Sequence, residues 1–263
     1  MRKTIGILGG GNMGAAIIGK MLNKHNVLVC EKEPKRIDFL KRNFHVSVRD
    51  LNEVVSQSDI IILAIKPQDM EGILKEIKSA MTKDKLVISI AAGITSLYIE
   101  KRLGTKTRVI RTMPNMPALI GEGITAVSKG RYATESDVKT ASEILNSIGE
   151  TVVVKENLID AVTATSGSGP AYVFLFVECF IKAAESLGLD KNLSKRLVLK
   201  TLLGSSHLLA KSKDDAATLR AKVTSKGGTT QAAMEVFQKR KIEQIFNEAL
   251  KAAKKRSGEL ARR

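Results

Sequence analysis

Two glycine-rich stretches in this sequence could each bind an anion. "GILGGGNMG" runs from Gly6 to Gly14, and "VTSKGGTTQAAMEV" runs from Val223 to Val236. Each places glycines just before a stretch with helical apolar spacing. Because the N–H groups at the start of a helix are unpaired and lie at the positive end of its dipole, such a turn attracts a negative group. The sequence therefore predicts two anion sites in one chain.

The first stretch has the pattern that binds dinucleotides. Gly9, Gly11 and Gly14 give G-x-G-x-x-G directly after the strand-like run "TIGIL". In that pattern the first glycine permits a tight turn, the second lets the backbone approach a pyrophosphate, and the third lets the helix pack on the strand. Glu31 lies about twenty residues further on, where an acid can accept a hydrogen bond from a ribose hydroxyl. These residues predict bound NAD or NADP.

The choice between the two cofactors stays open at this point. The carboxylate of Glu31 would repel the 2′-phosphate of NADP. Lys32, Lys35 and Arg36 follow it directly, and cations can hold a phosphate through charge-assisted hydrogen bonds. The same cations also fit a solvated helix face.

The second stretch offers hydroxyl groups and an anion cradle but no carboxylate. His25, His45 and His207 stand outside any catalytic motif, so a proton relay based on histidine is not expected. A nicotinamide cofactor brings its own hydride, and the protein has to supply orientation and charge. The loop suits a substrate that carries a carboxylate and needs little acid catalysis, such as an imine.

The composition argues against several other functions. The net charge is +16, but the basic residues are spread along the chain, aromatic residues make up only 4% and tryptophan is absent. We therefore expect no nucleic-acid partner. Two cysteines in apolar runs and three scattered histidines predict no metal site. The apolar stretch Ala171 to Ile181 is shorter than the ~20 residues of a membrane span, so we expect a cytoplasmic protein without a membrane partner.

The order of elements predicts two domains. Apolar runs such as "NVLVC", "DIIILAI", "KLVISIAA" and "TRVIRTM" alternate with helical patterns, which is typical of an open parallel sheet. Long segments with helical apolar spacing follow, and no β-rich run returns. We predict an α/β fold with a Rossmann-type NAD(P)-binding domain over residues 1–157 and an all-helical domain over residues 158–263.

Six blocks spread over nearly the full length carry a specific resemblance. They are "IGILGGGNMG", "DIIILAIKPQ", "VISIAAGIT", "RVIRTMPNMPA", "LIDAVTATSGSGPAYVF" and "VTSKGGTTQAAMEV". In this order the blocks resemble the pyrroline-5-carboxylate reductase family, which forms L-proline from 1-pyrroline-5-carboxylate with NADPH or NADH. The resemblance implies a helical domain that binds substrate and dimerises, in a homodimer or a larger ring.

The resemblance also implies roles for individual residues. The substrate loop would comprise Ser225, Gly227, Gly228, Thr229 and Thr230, with Thr230 and Ser225 as the catalytic pair. Backbone N–H groups would take the substrate carboxylate, and the Thr230 hydroxyl would face the ring nitrogen. Glu156 falls where the family has an acid near the substrate. Besides the three glycines and Glu31, the cofactor would contact Asn12, Met13, Ala64, Lys66, Pro67, Ala91 and Asn115.

Three features depart from the family pattern. Lys226 stands where the family usually has proline, which leaves the loop less rigid but adds a cation beside the predicted carboxylate. "DDAATLRAKV" lacks the His-Pro pair often seen before this loop. Glu31 stands where other members carry Ser, Thr or Arg.

Two other functions fit parts of the pattern. A β-hydroxyacid dehydrogenase has the same layout, but it typically uses a lysine early in the first helix of its second domain. That helix offers only Lys182, far past its start. A regulator that senses a dinucleotide would keep the first glycine turn, and the intact loop from Ser225 to Thr230 argues against it.

Overall fold

One eight-stranded sheet organises the first part of the molecule. The computed structural model describes residues 2–104 and 106–260 of the 263-residue chain. The strands in this part of the chain are β1 (Thr4–Leu8), β2 (Asn26–Cys30), β3 (Ser47–Val48), β4 (Ile60–Leu63), β5 (Leu86–Ser89), β6 (Arg108–Met113), β7 (Gly123–Lys129) and β8 (Gly149–Val153). Their order across the sheet is β3-β2-β1-β4-β5-β6-β7-β8.

The chain reverses direction across the sheet at β1. The strands run outward from β1 to β2 and β3 on one side, and from β4 onward on the other. All neighbouring strands are parallel except β6 and β7, which are antiparallel. In open α/β sheets, ligands bind beyond the carboxyl ends of the strands at such a switch point. The fold therefore places the candidate site after β1 and β4.

Helices cover both faces of the sheet. They are α1 (Asn12–Met21), α2 (Pro34–Phe44), α3 (Leu51–Gln57), α4 (Met70–Ile77), α5 (Ser96–Leu103), α6 (Glu135–Leu145) and α7 (Ile159–Val162). Pro34 occupies the first turn of α2, as the sequence predicts, because its missing N–H has no helical partner there in any case. The side chain of Asp50 caps α3 by accepting from the backbone N–H of Glu53.

The continuously apolar strand β4 shows why both faces are covered. Ile60 and Ile62 pack in one apolar cluster, whereas Ile61 and Leu63 pack in another. Successive side chains of a strand point to opposite faces, so the two clusters are the cores on the two sides of the sheet. The prediction of a central strand that is buried on both faces is confirmed.

A second group of helices follows the sheet. It comprises α8 (Gly169–Ser186), α9 (Lys191–Lys211), α10 (Ala216–Lys222), α11 (Thr229–Lys239) and α12 (Ile242–Leu260). A π-helical turn, Thr163–Gly167, precedes α8. Among the described residues after β8 no strand occurs.

The chain divides into two compact units inside α8 and α12. One unit contains the described residues up to 170 together with residues 252–260, and the other spans Ala171–Lys251. The end of α12 belongs to the first unit, and there Ser257 Oγ donates a hydrogen bond to Asp160 Oδ1 at 2.8 Å. These units differ from the predicted division at residues 157 and 158. The predicted division assigned cofactor binding to residues 1–157 and substrate binding and dimerisation to residues 158–263. This assignment of roles stays a prediction.

The unit Ala171–Lys251 has very little interior of its own. Within it only Ala184, Ser194 and Val198 are buried. Large apolar side chains are exposed instead, among them Phe174, Leu175, Phe176, Leu203, Val236 and Phe246. Exposed apolar surface of this extent marks an interaction site.

One helical segment of the described residues meets the length and composition of a membrane span. It is Glu156–Ser186, and 6% of its most apolar part is buried. A helix that passes this test is covered in the native state by lipid or by protein. Which of the two applies depends on the class of protein to which the chain belongs.

Candidate active site

The glycine turn after β1 is shaped by close backbone contacts. Gly9 has φ of 102°, and a Cβ atom on it would lie 2.4 Å from the carbonyl oxygen of Ala64. A Cβ on Gly14 would lie 2.2 Å from the carbonyl oxygen of Gly9. At Gly11 a Cβ would have no atom within 4 Å. Two of the glycines are therefore required by packing, and the third leaves open space above the turn.

A cleft of about 600 Å³ opens over this turn. It brings together six of the predicted cofactor residues, namely Gly9, Gly11, Asn12, Glu31, Ala64 and Lys66. The open space at Gly11 and the free start of α1 are the features that a pyrophosphate needs. These residues fit a dinucleotide, and Gly9, Gly11 and the N-terminal turn of α1 would hold its phosphates.

Glu31 is fixed by three backbone hydrogen bonds. Its Oε2 accepts from Gly10 N at 2.6 Å, and its Oε1 accepts from Lys32 N at 2.7 Å and from Glu33 N at 2.9 Å. Arg36 approaches the same glycine from the other side of its peptide group, where Nε and Nη2 lie 2.9 and 2.5 Å from Gly10 O. This contact was not predicted, because nothing in the spacing of Gly10 and Arg36 along the chain indicates it.

The charges around the cleft differ in exposure. Lys32 is 84% exposed and pairs with Asp69 at 3.5 Å. Cys30 lies at the bottom of the cleft, where burial, followed by the nearby charge of Glu31, raises the pKa of its thiol. The thiol therefore stays protonated and adds no charge to the site.

The other predicted cofactor residues lie outside the lining of this cleft. Met13 packs against an apolar core cluster, and Ala91 is buried in the other. Pro67 begins the short 3-10 helix after β4. Asn115 Oδ1 accepts a hydrogen bond from the backbone N–H of Ile124 at the start of β7. The cofactor contacts of these residues stay predictions.

Glu156 is already engaged with three donors. Its carboxylate accepts from Ser96 N at 2.8 Å and from Ser96 Oγ at 2.5 Å, and Arg111 Nη1 lies 3.4 Å away. The buried Arg111 also lies 3.6 Å from Asp160. Burial raises the pKa of neighbouring Glu100, and the charge of Glu156 adds to this effect. The observed contacts of Glu156 are structural, and its predicted contact with substrate stays a prediction.

The second glycine stretch forms a tight turn in front of α11. Gly228 N donates to Ser225 O at 3.1 Å, and Gly227 has φ of 72°. A positive φ at the third of four residues is the geometry of a type II turn, in which proline is common at the second position. Lys226 occupies that position here. The turn is kept although the proline of the family pattern is missing.

The start of α11 presents groups that can bind an anion. Its N-cap is Gly228, which has no side chain to cap the helix, so the first N–H groups of α11 are open. The Gln231 side chain reaches back to accept from Gly227 N at 2.7 Å. Among the described residues, the hydroxyls of Ser225 and Thr230 make no hydrogen bond. They are available to a ligand.

The geometry of the first unit defines a class of protein. A glycine turn at the switch point of a mostly parallel sheet, with an acid after the second strand, is the site of a nicotinamide-dependent oxidoreductase. Residues 4–93 match the family model described as "NADP oxidoreductase coenzyme F420-dependent". Residues 156–260 match the model described as "Pyrroline-5-carboxylate reductase dimerisation".

Full-length comparisons identify the family. The chain is 38% identical to pyrroline-5-carboxylate reductase 2 of Bacillus subtilis (strain 168), over 98% of this chain and 95% of the relative. The structure of a pyrroline-5-carboxylate reductase from Coxiella burnetii matches with a TM-score of 0.90 at 33% identity and 99% coverage of both chains. Plasmodium falciparum pyrroline carboxylate reductase with NADP bound matches with a TM-score of 0.89 at 31% identity and 98% coverage of both chains. The chain belongs to the pyrroline-5-carboxylate reductase family.

Family membership confirms several predictions from the sequence. The fold class is α/β with a helical dimerisation region, the cofactor is NAD(P)H, and the protein is a homo-oligomer. Because a dimerisation module covers residues 156–260, a second copy of the chain is the expected cover for the exposed apolar side chains of α8. The expected absence of a metal site stays a prediction; among the described residues no group of three or more His, Cys, Asp or Glu side chains could hold a metal ion.

The different surroundings of two glycines predict different effects of the same substitution. Gly14→Ala forces a methyl group against the Gly9 carbonyl, so we expect a lower melting temperature and loss of cofactor binding. Gly11→Ala fits its backbone, which has φ of −60°, but fills the space that a phosphate needs. We expect an unchanged melting temperature and a Kd for NAD(P)H raised ~10-fold or more.

Thermal unfolding and fluorescence titration with NADH and NADPH measure both effects. Equal loss of stability in the two variants would show that Gly11 is needed for packing. Normal cofactor binding by Gly11→Ala would show that the pyrophosphate lies elsewhere.

Proposed function

We propose that this chain reduces 1-pyrroline-5-carboxylate to L-proline with NAD(P)H, the last step of proline biosynthesis. The observation that carries the proposal is the presence of a second anion turn, Ser225–Gly228, in a chain whose first glycine turn already serves the dinucleotide. A substrate with a carboxylate uses such a turn. The substrate of the family, 1-pyrroline-5-carboxylate, is an imine that carries a carboxylate.

The second turn binds the substrate carboxylate through backbone donors. The open N–H groups at the start of α11, helped by the helix dipole, favour a negative group. Lys226 is exposed beside the turn and adds positive charge, screened by solvent. With its carboxylate held there, the substrate ring is oriented relative to the first turn of the helix.

Thr230 and Ser225 orient the ring nitrogen. The imine nitrogen takes one proton from solvent, and NAD(P)H, when bound, would supply the hydride to the ring carbon beside it, so that imine, proton and hydride give the amine and oxidised cofactor. A protonated imine already carries the positive charge that makes this carbon accept hydride. The chain therefore needs no strong acid at the nitrogen, and a hydroxyl that accepts one hydrogen bond from the protonated nitrogen is enough.

Three further parts of the proposal concern the surroundings of the reaction. Glu156 is proposed to act near the substrate by fixing Ser96 and Arg111, with which it makes its observed contacts. The exposed face of α8 is proposed to contact a second copy of the chain and no membrane. The protein is proposed to work in the cytoplasm, without a nucleic-acid partner.

The hydroxyl of Thr230 provides the most direct test of the site. We expect Thr230→Ala to lower kcat by roughly 10- to 1000-fold, because a group that positions the reacting atoms typically contributes this much. Thr230→Ser keeps the hydroxyl and should keep most of the turnover. The assay follows oxidation of NADH and of NADPH with 1-pyrroline-5-carboxylate, after circular dichroism has shown that each variant is folded.

Two outcomes would contradict the assignment. Unchanged turnover in folded Thr230→Ala would remove Thr230 from the mechanism. A crystal structure with L-proline bound is the second test, and its carboxylate should accept hydrogen bonds from backbone N–H groups between Ser225 and Thr230. A carboxylate found elsewhere would show that the second glycine turn does not bind substrate.

The apolar face of α8 predicts that assembly is required for activity. Phe176 is 46% exposed in the single chain. Phe176→Glu would place a charge in an apolar interface, where burial of an unpaired carboxylate is costly. We expect monomers by light scattering and loss of turnover, since residues 171–251 bury few side chains on their own. Phe176→Leu, which keeps the apolar character, should remain oligomeric and active.

Light scattering without detergent also tests the alternative that the apolar face of α8 contacts a membrane. The wild type should be a dimer or a larger oligomer in plain buffer and should not sediment with lipid vesicles. Wild-type protein that binds vesicles, or Phe176→Glu that stays oligomeric, would contradict this assignment of the face.

A further inference from the structure

The peptide group of Gly10 is held on both sides by charged side chains. Its N–H donates to Glu31 Oε2 at 2.6 Å, and its carbonyl accepts from Arg36 Nε and Nη2 at 2.9 and 2.5 Å. Gly10 itself lies between Gly9 and Gly11, in the middle of the phosphate turn. Because hydrogen bonds to ionised groups are stronger than neutral ones, these contacts restrict the turn before a ligand arrives.

Both side chains are themselves fixed. Glu31 Oε1 accepts from the backbone N–H groups of Lys32 and Glu33, so its carboxylate has little freedom. The guanidinium of Arg36 lies 4.6 Å from the centre of the Phe39 ring, a distance that allows a cation–π contact. Side chains that are held in this way act on the turn as rigid supports.

We propose that Glu31 and Arg36 form a clamp on Gly10 that preorganises the phosphate turn and links its geometry to the choice of cofactor. Arg36 is then a positioning residue and is not the ligand of a 2′-phosphate. Glu31 serves the turn and the ribose together, since it lines the same cleft. The proposal rests on the NAD(P)H cofactor and is independent of which imine is reduced.

The clamp makes NADH the favoured cofactor. A ribose hydroxyl can donate to the Glu31 carboxylate without disturbing Gly10. A 2′-phosphate repels this carboxylate, and relief of the repulsion requires Glu31 to leave three backbone donors, among them Gly10 N. Binding of NADPH therefore loosens the turn that has to hold its pyrophosphate, whereas binding of NADH leaves the turn intact.

Substitutions of the two residues separate the clamp from simple charge effects. Arg36→Gln should raise the Kd values of NADH and NADPH by similar factors of roughly 5- to 20-fold, as expected for lost hydrogen bonds to a charged group. Glu31→Gln removes the charge and keeps one oxygen for Gly10 N, but its amide NH2 cannot accept from the two backbone N–H groups that Oε1 now binds. We therefore expect weaker NADH binding than in the wild type and a lower ratio of the Kd for NADPH to the Kd for NADH. Glu31→Ser should weaken NADH binding, because it also removes the acceptor.

The exposed Asp38 and Arg42 on α2 provide matched controls. Asp38→Asn and Arg42→Gln make the same changes of charge as the Glu31 and Arg36 variants, at exposed positions of α2 that make no hydrogen bond to Gly10. Both should leave the Kd values within about twofold of the wild type. Fluorescence titration without substrate gives the Kd values, so failure of the imine assignment would not affect this test. Steady-state kinetics should show changes in KM for the cofactor at nearly constant kcat.

Hydrogen exchange of the cofactor-free protein is the readout that does not depend on binding. Peptides that cover residues 6–14 should exchange faster in Arg36→Gln and in Glu31→Ser, faster by a smaller factor in Glu31→Gln, and close to the wild-type rate in both controls. In the double variant of Glu31→Ser and Arg36→Gln, the exchange rate should rise by less than the combined effects of the two single substitutions. The effects are not additive because both residues act on one peptide group.

Three results would overturn the proposal. If Arg36→Gln weakens NADPH binding alone, Arg36 is a ligand of the 2′-phosphate. If exchange of residues 6–14 is unchanged in Arg36→Gln and Glu31→Ser, the contacts to Gly10 do not order the turn. A wild-type protein that prefers NADPH strongly, by about a hundredfold, would likewise show that the charge of Glu31 does not decide the choice.

Discussion

The close contact between the turn after β1 and the end of β4 is the constraint on which the cofactor site depends. The Ala64 carbonyl lies where a side chain at Gly9 would have to be, and the Gly9 carbonyl lies where a side chain at Gly14 would have to be. The chain can make these approaches only without Cβ atoms. The result is a helix that starts directly above the switch point of the sheet, with Gly11 open to the cleft.

The sheet supplies the rigidity that this contact needs. Strands β1 and β4 are neighbours, and their side chains are buried on both faces. Displacement of one strand relative to the other would disturb two close-packed clusters, which is costly because protein interiors have few voids. The packing of the two clusters therefore fixes the geometry of the turn after β1. The Gly10 contacts then act on a backbone that is already restricted at both ends.

The sequence predicted the elements that carry strong local signals. Strands β1, β2, β4, β5 and β6 and the five long helical segments after the sheet lie where the apolar patterns indicate. Strands β3, β7 and β8 were not predicted, and β6 and β7 are antiparallel although the apolar pattern indicates a parallel sheet. β3 has only two residues, and β8 is short and largely exposed although it ends in two valines. Their positions are set by pairing with neighbours, which local sequence does not encode.

The site shows the same distinction between local and long-range information. Gly9, Gly11 and Glu31 are recognised from spacing, because a strand, a turn and a helix fix their places within one βαβ unit. The contact of Arg36 with Gly10 depends on how α2 packs, and the engagement of Glu156 with Ser96 joins residues that are sixty positions apart. The sequence does not distinguish an acid that binds substrate from an acid that accepts hydrogen bonds from the start of a helix. Only its hydrogen-bond partners separate these roles.

The two glycine turns reach their geometry by different physical means. The first is enclosed by a sheet and held at Gly10 by two charged side chains, so its order is a property of the folded unit. The second is a four-residue turn on α11, in which Lys226 leaves φ free where proline would fix it, at a cost of about 0.4–1 kcal/mol in chain entropy. Residues 171–251 bury little on their own, so under the proposed assignment rigidity at this turn would come from assembly and from the bound substrate. A carboxylate that accepts from the open N–H groups of α11 supplies contacts that the single chain lacks. Cofactor binding is therefore expected to depend on local packing, and substrate binding on the oligomer.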